Sequence, residues 1–303
     1  MPEGPEVKIV VDGLNDVLKN KYIVDIKITP TSRYRNKAPD GFNDFRSLIT
    51  QKKTKVNNIK CKGKFIYFEV VAADNTRQST NNKWYIFNHL GMSGIWSHRP
   101  AKHTSIILTY STSPPTRHYG NSNITNTKST TLKRVFKLYF IDQRHFGLFE
   151  FTNKKSILNL KLNALGPDLL NDSISYSQFA KIIIKHSRNN ICKVLMDQSI
   201  FSGIGNYLKS EILYDSKIHP LTNIGQLSSK DLKTLFNASR RLIKASYLAQ
   251  GNSLRHYKNV ESIKDTFEFQ LKVYGLKKDI NGNKVHRITT PDGRSTYYVD
   301  FIC

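Results

Sequence analysis

The sequence predicts an α+β multidomain protein, with a β-rich N-terminal half and a helical C-terminal half that ends in a β-hairpin. Three observations carry this. From Tyr22 to about Phe151, short apolar or alternating runs are separated by turn residues, the pattern of half-buried strands in a sandwich or barrel-like domain. From Ser175 to about Ala249, apolar residues recur at helical spacing instead. A chain of 303 residues is long enough to bury two cores.

Taken in order, Val7, Val10, Val11, Leu14, Val17 and Leu18 form an amphipathic helix that begins just after Pro5. Strands are expected at Tyr22–Ile28, Phe65–Val71, Trp84–Asn88, Ser105–Tyr110, Arg134–Ile141 and Leu148–Phe151. The stretch Ser111–Thr131, rich in Ser, Thr, Asn and Pro, reads as a loop between two of them. Leu165, Gly166, Pro167 and Asp168 mark the change of pattern, which sets an N-terminal domain at 1–160, a linker at 161–170 and a second domain at 171–303.

In that second domain, Ser175 or Ser177 can cap a helix through about His186, and Asn190 to Asp197 begins another. Gln198–Gly205 is a turn with two glycines, after which Asn206 to about Lys217 resumes helical spacing. Ser228 or Ser229 caps a helix over Lys230–Ala249. Gly251–Ser262 is a basic loop, and Lys284–Phe301 is a hairpin about Pro291, Asp292 and Gly293.

Charge narrows the partner. The 47 Lys and Arg against 23 Asp and Glu give +24, which favours a polyanion, nucleic acid ahead of an acidic membrane surface. No apolar run reaches the length of a membrane span, and Met1–Asn20 lacks the pattern of a secretory signal, so a soluble intracellular protein is expected. Cys61, Cys192 and Cys303 are too few and too scattered for a disulfide framework or a Cys-x-x-Cys metal site.

Several short stretches carry chemistry. If Met1 is removed, Pro2 offers a secondary amine able to attack an aldehyde-like carbon and form a cationic imine. A terminal amine has a reference pKa of about 8, against about 10.4 for Lys, so far more of it is free base at neutral pH. Glu3 would stand beside it as acid or base. The plainer reading is a helix start, where Pro and Glu are both favoured.

Lys64, after Gly63 at a strand start, can hold a phosphate or donate a proton, although lysines are abundant here. Met92, in a loop between Gly91 and Gly94, can serve as a wedge or as core filler. Arg144 and Phe146, two apart, would project to one side of an extended segment and can fill the space of an extruded nucleotide; their bland reading is a surface Arg and a core Phe. The double turn at 198–205 leads into a helix start, where free N–H groups suit a phosphate and Asn206 adds an amide. It serves equally as a packing turn. Arg294 stands just past the hairpin turn, within reach of a phosphate or base edge.

Together these motifs resemble the formamidopyrimidine-DNA glycosylase and endonuclease VIII family. They are Met-Pro-Glu-Gly-Pro-Glu at the start, Lys-Gly-Lys at 62–64, His-Leu-Gly-Met-Ser-Gly at 89–94, Asp-x-Arg-x-Phe-Gly at 142–147, Met-Asp-Gln-x-x-x-x-Gly-Ile-Gly-Asn at 196–206 and the terminal hairpin. The resemblance implies an N-terminal β-sandwich flanked by helices, and a C-terminal domain with a helix-two-turn-helix and an antiparallel finger. It implies excision of oxidised bases and strand cleavage by β,δ-elimination, with double-stranded DNA carrying oxidised bases or abasic sites as partner, single-stranded DNA as a further one, and a monomer.

By the same resemblance Pro2 is the nucleophile, Glu3 assists ring opening and proton transfer, and Glu6 is a further acidic position. Lys64 is the essential lysine, Met92, Arg144 and Phe146 fill the void, and Asn206 and Arg294 contact phosphates. The segment Gly275–Cys303 holds only Cys303 where many members carry four zinc ligands. It is similar in this to the endonuclease VIII-like proteins whose finger keeps its hairpin without metal. A zincless finger at 275–303, held by Tyr297, Val299 and Phe301, is therefore expected, with no metal and no cofactor. Oxidised pyrimidines and hydantoins are the substrates this favours, with ring-opened purines and 8-oxoguanine left open. Two rival readings are a damaged-DNA-binding protein that performs no chemistry and a basic RNA-binding protein, which accounts for the charge but not for the N-terminus.

Overall fold

The computed structural model describes residues 2–73, 83–115, 134–249 and 269–300. Most of the loop expected at 111–131 and all of that at 251–262 lie outside these residues, as do Phe301 and Cys303. The chain divides into two compact units that do not follow its halves: residues 10–60 and 66–158 form a sheet unit, and residues 1–9, 61–65 and 159–303 a helical unit.

Helix α1 (Gly4–Leu18) belongs to the sheet unit from Val10 onward, and there it buries Val11, Leu14 and Leu18, as its spacing predicts. Eight antiparallel strands follow: β1 (Tyr22–Ile28), β2 (Lys53–Lys62), β3 (Phe65–Ala73), β4 (Lys83–His89), β5 (Ile95–Ser97), β6 (Thr104–Ser111), β7 (Val135–Ile141) and β8 (Leu148–Thr152). Their order in the sheet is β5-β7-β6-β1-β2-β3-β4-β8. The sheet closes on itself, because residues from opposite ends of that order touch. Phe140 of β7 meets Phe149 of β8 edge-on at 4.9 Å, and the Trp96 indole of β5 donates to Asn88 Oδ1 of β4 at 3.1 Å. Such burial of two inner faces against each other is what a sandwich requires.

Three elements of this unit were hidden in the pattern, the three-residue β5 being too short to show any alternation. Strand β2 turns only Thr54, Val56 and Ile59 inward among lysines and asparagines, so its apolar alternation is too thin to read. Helix α2 (Phe42–Gln51) buries Phe42, Phe45 and Ile49 at helical spacing behind the turn at Pro39–Gly41.

The helical unit begins from α3 (Lys155–Asn163) and contains α4 (Tyr176–Ile184), α5 (Ile191–Met196), α6 (Asn206–Ser216), α7 (Ser229–Leu248) and a hairpin of β9 (His286–Thr289) and β10 (Ser295–Tyr298). The caps explain the boundaries. Ser175 and Gln178 close a capping box on α4, Asn190 accepts from the Cys192 N–H at α5, and Ser228 with Asp231 closes the box on α7. The core stacks Phe179 on Phe201 at 4.8 Å, among Ile191, Leu208, Ile212 and Leu235.

Candidate functional site

Three segments of the helical unit converge on glycines. The Gly4 N–H donates to Gly203 O at 2.8 Å, and a Cβ placed on Gly63 would lie 2.6 Å from the Gly203 nitrogen. Gly203 has φ +102°, backbone that other residues rarely adopt, so residues 4, 63 and 203 are glycines because three backbones touch. The Gly63 N–H is held in turn by Asp168 Oδ2 at 2.8 Å. Asp168 is buried and also accepts from Leu170 N and Asn171 Nδ2. The sequence marks Asp168 only as linker; its role in fixing the 62–64 turn depends on a pairing across more than a hundred residues, which no local signal carries.

Pro2, Glu3 and Glu6 are all buried at this junction. The Glu3 carboxylate caps α6: Oε2 accepts from Gly205 N at 2.7 Å and from Leu208 N at 3.3 Å, and Oε1 accepts from Tyr207 N at 2.9 Å. The double turn therefore does present N–H groups at a helix start, but a carboxylate of the protein's own N-terminus takes them. Burial raises the Glu3 carboxyl to about 7; Lys64 opposes this, Glu6 adds to it, and the N–H donors of Tyr207 and Leu208 oppose it. A carboxyl poised near neutrality can give or take a proton.

Glu6 Oε2 accepts from the Glu3 N–H at 2.9 Å, and Glu6 Oε1 accepts from the Tyr207 hydroxyl at 2.9 Å. Lys64 Nζ donates to Ile204 O at 2.7 Å, in the turn that leads to α6. Burial lowers the Lys64 pKa; Glu3 works against that shift and Arg294 with it. Pro2, Glu3, Glu6 and Lys64 are thus gathered in one place.

The two expected phosphate contacts lie on α6 and the hairpin. Asn206 Nδ2 donates to Ser295 O at 2.9 Å, and Asn206 Oδ1 is buried with no partner among the described residues. Arg294 is exposed and lines an open cleft with Asn189, Lys193, Met196, Asp197 and Asp292. Its turn is anchored from below by Lys209 Nζ, which donates to Asp292 Oδ2 at 2.8 Å with both side chains buried. Tyr297 packs on Tyr274 at 5.1 Å and Val299 is buried, whereas Phe301 lies outside the described residues. Among the described residues, no three His, Cys, Asp or Glu form a metal-binding group.

Met92, Arg144 and Phe146 come together in the sheet unit. Asp142 joins their loops, accepting from Ser93 Oγ at 2.7 Å and Gly147 N at 2.6 Å, while Arg144 N donates back to Ser93 Oγ at 3.0 Å. The segment is not extended, because His145 has φ +58°. The turn instead lays the Arg144 guanidinium 5.5 Å from the centre of the Phe146 ring. Met92 is 39% and Phe146 50% exposed, so neither is core filler.

The described residues combine a strand-rich unit with a helical unit that carries a double turn between two helices and a small hairpin. The structure resembles that of Lactococcus lactis Fpg in complex with DNA containing an abasic site, with a TM-score of 0.73 and 21% identity over 98% of this chain and 97% of the other. It resembles equally a complex of the wild-type Lactococcus lactis protein with DNA containing an oxidised pyrimidine, with a TM-score of 0.72 and 21% identity over 98% of both chains.

In sequence, residues 1–149 match the formamidopyrimidine-DNA glycosylase N-terminal domain and residues 165–258 the formamidopyrimidine-DNA glycosylase H2TH domain. The formamidopyrimidine-DNA glycosylase of Listeria innocua is 27% identical over 98% of both chains. That of Mycoplasma mobile is 28% identical over 98% of this chain and 97% of its own. The chain belongs to the formamidopyrimidine-DNA glycosylase family, DNA glycosylases of base excision repair. Among the described residues, no helix is long and apolar enough to cross a membrane.

Proposed function

We propose that this protein excises oxidised bases from DNA with Pro2 as nucleophile and then cleaves the strand at the resulting site. Lys, Arg and the Asn206 and Arg294 contacts hold the phosphates, and Met92, Arg144 and Phe146 enter the stack as the damaged nucleotide swings out. The Pro2 nitrogen attacks C1′, the bond to the base breaks and the base leaves with a proton. Glu3 donates a proton to the ring oxygen as the sugar opens, which leaves a cationic imine on C1′. The imine acidifies the C2′ proton; its loss expels the 3′ phosphate, and a second elimination expels the 5′ phosphate. Lys64 steadies the phosphate beside this chemistry and Glu6 the acid itself.

One observation carries the reading. A buried carboxyl raised to about 7 and a half-buried lysine with lowered pKa stand together beside the chain's second residue, at a junction where the backbones of three glycines touch. Groups whose pKa values are displaced by burial and by specific charged neighbours concentrate at functional sites.

The favoured substrates are oxidised pyrimidines and hydantoins in duplex DNA, with single-stranded DNA and abasic sites also accepted. The protein acts as a monomer inside the cell, and its finger needs no zinc. The binding of oxidised-pyrimidine DNA by a protein of the same fold supports that choice of lesion. Borohydride should trap the protein covalently on oxidised or abasic duplexes, and Pro2→Gly should abolish the adduct and multiple-turnover nicking. Normal trapping by Pro2→Gly, or tight lesion binding by the wild type with no nicking at all, would leave a damaged-DNA-binding protein in its place.

A further inference from the structure

Tyr207 holds two carboxylates at once. Its backbone N–H donates to Glu3 Oε1 at 2.9 Å, and its hydroxyl donates to Glu6 Oε1 at 2.9 Å. The same hydroxyl lies 2.9 Å from Ser246 Oγ on α7. Tyr207 is 5% exposed and Ser246 is fully buried, so this chain is closed to water. A phenol has one proton; with that proton on Glu6, its oxygen is free to accept from Ser246. The direction is fixed by charge. Burial, Glu6 and Glu3 push the Tyr207 pKa well above its ordinary value, so the hydroxyl stays a donor at every working pH.

Glu6 in turn accepts from the Glu3 N–H at 2.9 Å. A path of hydrogen bonds therefore runs from Ser246 through Tyr207 and Glu6 to the backbone of Glu3, one residue from Pro2.

We propose that Tyr207, backed by Ser246, is a positioning residue that fixes the negative charge of Glu6 against Glu3 and so sets the pH range over which Glu3 works as an acid. This rests on the reading of Pro2 and Glu3 given above.

The groups that face Glu3 are Glu6 on α1, the backbone N–H groups of Tyr207 and Leu208 on α6, and Lys64 in the 62–64 turn with Arg294 of the hairpin beyond it; Pro2 precedes it in the chain. Among these, Glu6 raises the Glu3 pKa and Lys64 lowers it. Without its phenol donor, the Glu6 charge is held less firmly and less close. Its upward push on Glu3 weakens, and Glu3 gives up its proton at lower pH. The acid form is then lost earlier as pH rises. Tyr207→Phe preserves the ring and its packing on Tyr274, so a purely structural role predicts no such shift.

The test is single-turnover excision of an oxidised pyrimidine from about pH 5 to 9 by the wild type, Tyr207→Phe, Glu6→Gln and the double variant, with borohydride trapping on abasic duplex alongside. Tyr207→Phe should slow excision at pH 7 about tenfold and move the alkaline limb to lower pH by about half a unit or more. In the Glu6→Gln background the same change should add nothing, because both act through one carboxylate. Ser246→Ala should give a smaller shift in the same direction, and it serves as the probe if Tyr207→Phe fails to fold. An unmoved limb in the folded variant, or effects of Tyr207→Phe and Glu6→Gln that multiply, would overturn the assignment. A wild type that excises with its own pH limb but forms no borohydride adduct would instead refute Pro2 as nucleophile and leave the Tyr207 result to stand or fall on the limb.

Discussion

Glu3 shows how much one residue can be asked to do. Its carboxylate satisfies three N–H groups at the start of α6 while burial holds its pKa near 7. Gly205 is required for this, since a Cβ there would lie 2.2 Å from the Glu3 carboxyl carbon. The motif around Pro2 and Glu3 picked these two residues out in the sequence, and Gly203 and Gly205 were legible as a turn. What the turn held was not, because a cluster of N–H groups suits a phosphate or a carboxylate equally and only the tertiary fold brings residues 3 and 205 together. Asn206 is similar: its amide was visible, but not that Ser295 O would take its donor. As a proton donor, Glu3 acts in its neutral form, so wild-type excision should fall as pH rises through about 7. Glu3→Gln should remove that limb and slow excision of an intact lesion by about 10²- to 10⁴-fold. Cleavage at a ready-made abasic site, where the base has already gone, should suffer less. Rate–pH profiles on the two substrates measure this, and equal losses on both would contradict the role.

At the level of elements, the hairpin needs a clamp because two strands of four residues bury too little to stand alone. Apolar packing was the clamp the sequence suggested, and Tyr297 and Val299 do pack. The buried Lys209–Asp292 pair adds a second one, with Thr290 Oγ1 and Thr296 Oγ1 2.7 Å apart beneath it. It escaped a sequence reading because Lys209 lies in a helix most of whose other residues are also buried, Ser210 and Glu211 among them, so no polar stripe marks which way the lysine points. β2 was missed for the opposite reason, its few inward residues being lost among polar ones. Removing one partner of a buried pair leaves the other charge uncompensated, so Asp292→Asn should destabilise the helical unit by about 3–5 kcal/mol. Lys209→Met with Asp292→Leu should recover most of that, since an apolar pair avoids the desolvation of both charges. A metal chelator should leave the wild-type melt unchanged. Urea melts followed by far-UV circular dichroism are the measurement, because the two tryptophans, Trp84 and Trp96, both lie in the sheet unit.

For the whole molecule, the sequence made the change from strands to helices readable, but not that residues 1–9 and 61–65 join the helical unit. That grouping arises where Gly4, Gly63 and Gly203 touch, a fact of tertiary contact with no periodicity to betray it. The charge of +24, by contrast, needs no fold to be read, and its consequence is thermodynamic. Each phosphate neutralised by Lys or Arg releases condensed counterions, so the affinity for duplex DNA should fall steeply with salt, with a slope in log–log form of about −0.9 per phosphate contact. Void-filling and phosphate-binding residues should then separate cleanly. Arg294→Ala should weaken binding to lesion and intact duplex alike and reduce the slope by about one contact. Phe146→Ala should leave the slope in place and erode the preference for lesion over intact duplex, because stacking into a vacated site is independent of counterions. Fluorescence anisotropy on both duplexes across a salt series reads both quantities. A slope unchanged by Arg294→Ala would remove that residue from the phosphate contacts, and a structured RNA that competes as well as the lesion duplex at every salt concentration would show that the charge serves a different polyanion.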